Sequence, residues 1–565
     1  MSLQGAKYVW SHGPGDPGLV GEIAGGAGAS DLLARVLVSR GIGSADDAVA
    51  FLRGGAATLP DAHLLPDADR VVERVARAIA AGETITVHGH DDADGVCASI
   101  VMIEALTQLG ASASCYIPDR RTEGHGLNRA EIDRLAGEGV SLVVTVDSCV
   151  SDRDHIRYAG TLGIDVIVTD HHEIPPELPP AYAIVNPKLP GTDYPYRWMA
   201  GVGVALRVAE LLRTELPRAT PEEADRPWFG PRWIDEAFAL AAIGSIADRV
   251  PLTGDNRTIV VEGLAAVART ERPGLRALLE ESRLWGFSIE PDDVRESLSP
   301  MFGRLSDGRG GNEAYEVLVD TDVGEARGRA RKLAVARSRW RQRALAAWHG
   351  VKSTIGSQVG GDAAALVVEA EIPVDVVGYV TSRLADESGM PAVVVARRDG
   401  TSMAEARGPR GFNLVTAFSS MHEIFIGYGG HPRAAGFSIS NEKVGEFRRR
   451  MLEFAAENPP VTIERPIDAE LPLIGATPDL ARELDSLRPY GPGNGPAILL
   501  AKGVTGEDLE QARGGGLRFA TPMTRLRSAV DLVYRLSHTD GTAFVHVIDT
   551  VDGSRAGEVP RAEAG

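Results

Sequence analysis

Three short apolar runs constrain this chain more than anything else in it: ITVHGH (85–90), SLVVTVDS (141–148) and DVIVTDHH (165–172). Each is continuous in Val and Ile, each is separated from the next by a helix-compatible stretch, and each ends in Asp or His. Runs without polar alternation are buried on both faces, as in a parallel sheet covered by helices on both sides. The expectation is a doubly wound α/β domain. In such sheets the ligand crevice lies outside the carboxyl ends of the strands, so the three polar ends should converge.

The residues at those ends suit metal chemistry. HGHDDADG (88–95) supplies His88, His90, Asp92 and Asp94. Alone, its D-x-D-G reads equally well as a helix N-cap. A calcium EF-hand loop does not fit, because Val101 would stand where a Glu is required. Asp147 in TVDS, taken singly, is also more often a cap. Asp170, His171 and His172 in TDHH are harder to dismiss, since two adjacent histidines have no packing role that a smaller residue would not serve better. Asp248 in GSIADRVPL (244–252) is a fourth candidate. Together the clusters offer oxygen and nitrogen ligands for two divalent ions bridged by a shared carboxylate, a pair suited to in-line displacement at phosphorus. Neither cysteine-rich zinc spacing, H-E-x-x-H nor a G-x-x-x-x-G-K-[ST] loop lies near them, which disfavours zinc peptidases and nucleoside triphosphatases.

A length of 565 residues predicts about three to five compact units. The formal charge of −19 argues against a protein that coats nucleic acid over its whole surface. Positive charge is concentrated instead: 326–352 holds seven Arg and two Lys with no acidic residue, in a composition that favours a long helix, and 391–450 has nine basic against five acidic residues. A second α/β pattern spans about 361–455, and the last hundred residues are short strand-like runs. Residues 1 to about 30, rich in Gly, Pro and Ser, read as a loose arm. Cys97, Cys115 and Cys149 lack metal spacing and cannot all pair, which favours a reducing cytoplasm. No signal segment and no run of about 18 apolar residues is present, so no membrane association is expected.

The succession HGHDDADG, TVDS, VTDHH and GSIADRVPL resembles the four motifs of the DHH phosphoesterases. GYGGHPRAAG (427–436) resembles the GGHxxAAG motif of the DHH-associated domain in the RecJ exonucleases. YIPDRRTEGHGLN, IVNPKLP, AGVGVALRVAE and LRPYGPGNGP are similar to linking segments of the same family, and the resemblance runs from about 60 to 500. It implies Asp92, Asp94, Asp147, His171 and Asp248 as metal ligands with Asp147 bridging, and either His88 or His90 as the remaining one. It places His172 toward the scissile phosphate and Asp170 as the group that orients a histidine. Arg120, Arg407, His431, Gly429 and Gly430 are implied contacts to nucleic-acid phosphates. To these the basic helix adds Arg337, Arg341 and Arg343. Departures are present too: Ile372 and Pro373 replace a Trp–His pair, AEARG (404–408) keeps only Arg407 of G-S-x-R-S, and the second motif, usually D-C-G, reads Asp147-Ser148-Cys149. SPMFGRLSDG (299–308) is a loose version of its RecJ counterpart.

The resemblance implies an N-terminal lead-in (1–60), a DHH catalytic domain (61–320), a basic connecting helix (321–355), a smaller α/β DHH-associated domain (356–458) and an OB-like β-domain with a tail (459–565). It implies an exonuclease dependent on two divalent ions, Mn²⁺ ahead of Mg²⁺, that releases 5′-mononucleotides from single-stranded DNA. Expected partners are single-stranded nucleic acid, DNA before RNA, and a single-strand-binding protein or helicase, with the chain a cytoplasmic monomer acting in repair and recombination. Two alternatives stand beside this: a DHH phosphodiesterase for short oligoribonucleotides or cyclic dinucleotides, and a non-catalytic DNA-binding replisome scaffold.

Overall fold

A computed structural model of the chain describes all residues except 1, 6–7, 14, 120–122, 125, 218–231, 303–311, 359–362, 460–463, 521–525, 527, 540 and 552–565. Two compact units result. Among the described residues, one is built from Pro14–Ala336 and Ile467–Ile548, the other from the chain up to Gly13, Arg337–Pro466 and 549–551.

In the first unit the apolar runs become strands β1 (Thr84–His88), β3 (Val140–Val146) and β4 (Asp165–Thr169), joined by β2 (Ser112–Tyr116) and β5 (Ala183–Val185). Their order is β2-β1-β3-β4-β5, and every pairing is parallel. Period-two alternation sends Leu142, Val144 and Val146 into one core and Val143 into the other, so both faces of β3 are covered. The expected doubly wound sheet is present. Strand order reverses between β1 and β3, and the loops that leave these two strands open a crevice there.

Helix α1 (Ala93–Gln108) follows β1 and is buried at every position from Ala93 to Leu106. A helix that is apolar all round must be enclosed by others, here α2 (Gly201–Glu215) and α3 (Trp233–Ala247), which share its core. Glu104 is the charged residue late in α1. Its carboxylate accepts two bonds, of 2.9 and 2.8 Å, from the fully buried Arg272.

The loose arm expected at the N-terminus is not what forms. Residues Pro17–Ala27 are a helix, started by Asp16, whose carboxylate accepts the N–H groups of Gly18 and Leu19, and ended by Gly28 at φ +65°. Its glycines lie among Val20, Ile23 and Ala27, which share one face and are buried. They pack in one core with Leu33 and Leu37 of the next helix and with Leu499, Leu532 and Tyr534 of the C-terminal β-domain. That domain carries a five-stranded sheet from Ala469–Glu470, Leu499–Val504, Leu517–Phe519, Val530–Thr539 and Thr542–Val551. Composition misleads here because Gly lowers helix propensity by only about 1 kcal/mol, less than capping and burial supply together.

Arg257 holds these parts of the unit together. Its guanidinium donates to the carbonyls of Phe51, Ser486, Leu487 and Arg488 and meets no carboxylate among the described residues. Burial lowers its pKa to about 10, which leaves it charged at neutral pH. The LRPYGPGNGP segment is thereby fastened beneath the helix that follows Asp248.

The second unit has strands β6 (Leu366–Ala370), β7 (Ala392–Ala396), β8 (Thr401–Arg407), β9 (Phe425–His431) and β10 (Ala434–Ser440), in the order β9-β10-β8-β7-β6. Only β6 and β7 pair in parallel. The basic segment is part of helix α4 (Val323–Gln358), and the boundary between the units falls inside it, between Ala336 and Arg337. Among the described residues, no helix is long and apolar enough to cross a membrane. The expected tail lies outside the described residues beyond 551.

Candidate metal centre

The crevice brings together residues from four separate stretches. Asp92 is the N-cap of α1: its Oδ1 accepts the Gly95 N–H at 3.0 Å, while Oδ2 lies 3.0 Å from His90 Nδ1. Capping and metal binding therefore do not compete, because each uses a different oxygen. Asp94 lies in the first turn, and its oxygens accept the Val202 N–H at 2.9 Å and the Gly201 N–H at 2.8 Å. These are amides at the N-terminus of α2, the positive end of its dipole.

Asp147 follows β3 with φ +57°, and Cys149 follows with φ +79°. Asp tolerates the left-handed region better than most residues. Cys149 occupies the position where the D-C-G pattern has glycine, and its positive φ is the physical reason for that glycine. The turn aims the buried Asp147 carboxylate two ways: Oδ2 lies 3.8 Å from His90 Nδ1, and Oδ1 lies 3.2 Å from His171 Nε2. That Oδ1 is buried and accepts no hydrogen bond among the described residues. His171 Nδ1 is 3.1 Å from the Met199 carbonyl, so it carries the proton and donates there. The Nε2 lone pair then faces Asp147, Asp248 at 3.8 Å and Asp94 at 3.9 Å.

Ligand-capable atoms fall into three groups, each within 4.8 Å: His90, Asp92 and Asp147; Asp94, His171 and Asp248; and Asp147, His171 and His172. A neutral imidazole lone pair turned toward carboxylate oxygens is repulsive unless a cation lies between them, so the donor set fits divalent metal. Mixed oxygen and imidazole donors suit Mn²⁺ better than the all-oxygen shell that Mg²⁺ prefers. Of the two histidines the sequence leaves open, His90 is in the cluster. His88 is not in these groups: fully buried, it places Nδ1 2.8 Å from Glu131 Oε1.

Electrostatics separates the crevice into two parts. Burial, reinforced by Asp248 and Asp92, pushes Asp94 up to about 7. Burial and then Asp92 push Asp248 up to about 6, although its side chain is 36% exposed at the crevice mouth. Burial, Asp94 and Asp92 raise Asp147 well above the carboxylate range. Asp170 and His172 behave oppositely. Burial disfavours both charges, but Asp170 Oδ1 accepts a 2.7 Å bond from His172 Nδ1, and the pair outweighs burial, holding Asp170 at about 2 and His172 at about 9. Asp170 also accepts the N–H groups of Val150, His171 and His172.

Glycines make the convergence possible. A Cβ on Gly201 would stand 2.4 Å from Asp147 Oδ1 and 2.6 Å from its Cβ, and one on Gly244 would stand 2.9 Å from Asp94 Oδ1. Gly201→Ala is therefore expected to displace Asp147 and weaken Mn²⁺ binding by about 10–100-fold, the usual cost of disturbing the support of a ligand. Titration calorimetry giving a wild-type affinity would refute this. Gly201, Val202 and Met199 are not identifiable from the sequence as part of the site. Glycine at the start of AGVGVALRVAE is the available signal.

The nucleic-acid candidates are more scattered. Arg120 and the side chain of His431 lie outside the described residues. Arg343 is paired with Asp375 at 2.6 Å, and Arg337 is half-buried. Arg341 is exposed, and like Arg331, Lys332 and Arg339 it forms no ion pair among the described residues. Arg407 is engaged by Glu405 and Ser382 rather than free for a phosphate. Gly429 and Gly430 lie exposed on the edge strand β9: a Cβ at Gly429 would meet nothing, whereas one at Gly430 would stand 2.5 Å from Ala434 O. The positive surplus of 391–450 is reduced by Glu369, which pairs with both Arg397 and Arg448.

A parallel sheet whose strand ends gather this Asp/His cluster, followed by a second α/β domain, defines a phosphoesterase of the DHH class. The DHH family N-terminal domain matches residues 84–228, and the DHHA1 domain matches 360–457. The single-stranded-DNA-specific exonuclease RecJ of Escherichia coli is 31% identical over 485 residues, covering 81% of each chain. That of Bacillus subtilis is 34% identical over 487 residues, covering 85% of this chain and 60% of the relative. The crystal structure of RecJ from Thermus thermophilus in complex with Mn²⁺ superposes with a TM-score of 0.77 at 26% identity, covering 97% of this chain and 80% of that one. The chain belongs to the RecJ family.

Proposed function

We propose that this protein is a metal-dependent exonuclease that hydrolyses single-stranded DNA to 5′-mononucleotides. The observation that carries the reading is Asp147, one buried carboxylate with its two oxygens turned toward two separate His/Asp groups. Ions held by His90, Asp92 and Asp147 on one side, and by Asp94, His171, Asp248 and Asp147 on the other, would lower the pKa of water and offset charge on the phosphoryl oxygens. The protein's own residues do the rest. Met199 fixes the His171 tautomer, and the Gly201 and Val202 amides fix Asp94. With a pKa of about 9, His172 is an imidazolium at neutral pH. Its Nδ1–H is committed to Asp170, so its Nε2–H is the one to donate to an oxygen of the scissile phosphate. Arg339 and Arg341 of α4, exposed and without an ion pair among the described residues, are cations available to a nucleic-acid backbone. Strand affinity should accordingly fall with salt.

Relatives named as single-stranded-DNA-specific exonucleases support the substrate, and a single-strand-binding protein or helicase is the partner we expect alongside it. An inactive scaffold is disfavoured because all six ligand side chains are present and gathered. The test is purified protein with Mn²⁺ and strands labelled at one end or the other. Mononucleotides should be released from long single strands, from the end that the two labels identify. Preferential turnover of two- to five-nucleotide RNA, or no release at all, would overturn the reading.

A further inference from the structure

The segment 186–199, between β5 and α2, ends in an exposed tryptophan that the chemistry above does not use. Trp198 is 55% exposed and is the only exposed tryptophan among the described residues. Tryptophan is normally well buried, so an indole held in solvent needs a reason. It is not on a slack loop. The buried Asn256 side chain donates to the Trp198 carbonyl at 2.6 Å and to the Pro251 carbonyl at 3.0 Å, three residues beyond Asp248. Tyr196 adds bonds to Pro251 O and Thr253. The next carbonyl, that of Met199, accepts the proton that sets His171. The Trp198 backbone is thus tied to the stretch bearing Asp248, and that of its neighbour Met199 to His171. Lys188 Nζ lies over the ring, 5.7 Å from its centroid, and is itself held at 2.9 Å by Glu173.

We propose that Trp198 is a nucleobase platform: its indole stacks on a base of the strand whose phosphate lies at the metal centre, and so sets which phosphodiester is presented. This rests on the reading of the protein as a nuclease. Stacking on an aromatic face tolerates every base, which matches an enzyme that must advance along any sequence. Rigid support matters because a reacting group must be held close to its productive position. A patch for a partner protein would have no need of registration to two metal ligands.

The test uses the full chain with Mn²⁺. Trp198→Ala should lower kcat/KM on a 20-nucleotide single strand by about 5–150-fold, equivalent to about 1–3 kcal/mol of stacking at 1.4 kcal/mol per tenfold. Trp198→Phe should recover most of it, and Mn²⁺ binding by calorimetry should match wild type in both. Strands with one abasic position, moved nucleotide by nucleotide from the cleaved end, supply the readout that a structural role would not move. One position should cost wild type as much as the Ala substitution does, and Trp198→Ala should be indifferent to it. Unchanged kinetics in Trp198→Ala, or a loss independent of the abasic position, overturns the platform. If wild type degrades no strand, the nuclease reading fails. Quenching of the Trp198 fluorescence by single strands, taken as the difference from Trp198→Phe, then decides the platform on its own: quenching supports it and its absence overturns it.

Discussion

Asp147→Asn should abolish strand hydrolysis while making the metal-free protein more stable. The substitution preserves shape, and asparagine tolerates the φ of +57° at this position. It removes the one charge that faces both ligand groups, so both ions lose a donor. Loss of about 4 kcal/mol of transition-state stabilisation corresponds to about a thousandfold in rate, and at least that is expected for kcat/KM with Mn²⁺. In the absence of metal the sign reverses. Asp147 is buried beside Asp94 and Asp92, each of which raises its pKa, so neutralising it relieves repulsion. The variant should melt above wild type at pH 8 without metal and gain little from added Mn²⁺. Activity within tenfold of wild type, or a lower metal-free Tm, would contradict the bridging role.

The second large effect is a pH-dependent exchange of protons for metal. Asp94 is raised to about 7 and Asp248 to about 6, against about 3.9 for an unfolded Asp. Groups raised on folding contribute stability that is fully present below the unfolded pKa and is lost as pH rises through the folded one. The metal-free protein should therefore lose stability between about pH 4 and 7 from these carboxylates. Asp170, held at about 2, works the other way: its contribution is present above about pH 4 and is lost only as pH falls through 2. Divalent ions displace the protons, and binding should release them. Metal at a hundred times its Kd stabilises by about 2.7 kcal/mol, which at about 2–4 °C per kcal/mol for a large domain predicts a rise in Tm of about 5 °C or more at pH 8. At pH 5.5 the same Mn²⁺ concentration should give less than half of it. Calorimetry in buffers of different ionisation enthalpy measures the protons directly, and a pH-independent affinity with no proton release would rule this out.

How far the site can be read in advance differs residue by residue. His171 and His172 are visible because packing alone rarely calls for adjacent imidazoles at the end of an apolar run, whereas Asp147 stands out only jointly with the other clusters. Asp92 is ambiguous in sequence, and the ambiguity is real, since one oxygen caps α1 while the other faces His90. The choice between His88 and His90 is not legible, because it depends on Glu131, forty-three residues beyond His88, reaching under the sheet. The N-terminal helices escape notice for a related reason. Their glycine content is local, whereas the core that stabilises them is supplied by residues more than four hundred positions away. The basic segments are easily overread as well: counting charges along the chain cannot see Asp375 beside Arg343, or Glu369 between Arg397 and Arg448.

The chain's letters alone specify strands β1, β3 and β4, through the continuity of Val and Ile, and the residue types at their ends, through spacing and order. Those are properties of neighbours, set by side-chain volume, backbone preference and the period of a strand. Which atoms face one another is settled by packing. The reversal of strand order between β1 and β3 opens the crevice, Gly201 and Gly244 let α2 and α3 approach the carboxylates, and the α2 amides and the Met199 carbonyl turn Asp94 and His171 into position. Distances of about 3–4 Å between groups far apart in sequence follow only from the close-packed arrangement of whole helices and strands.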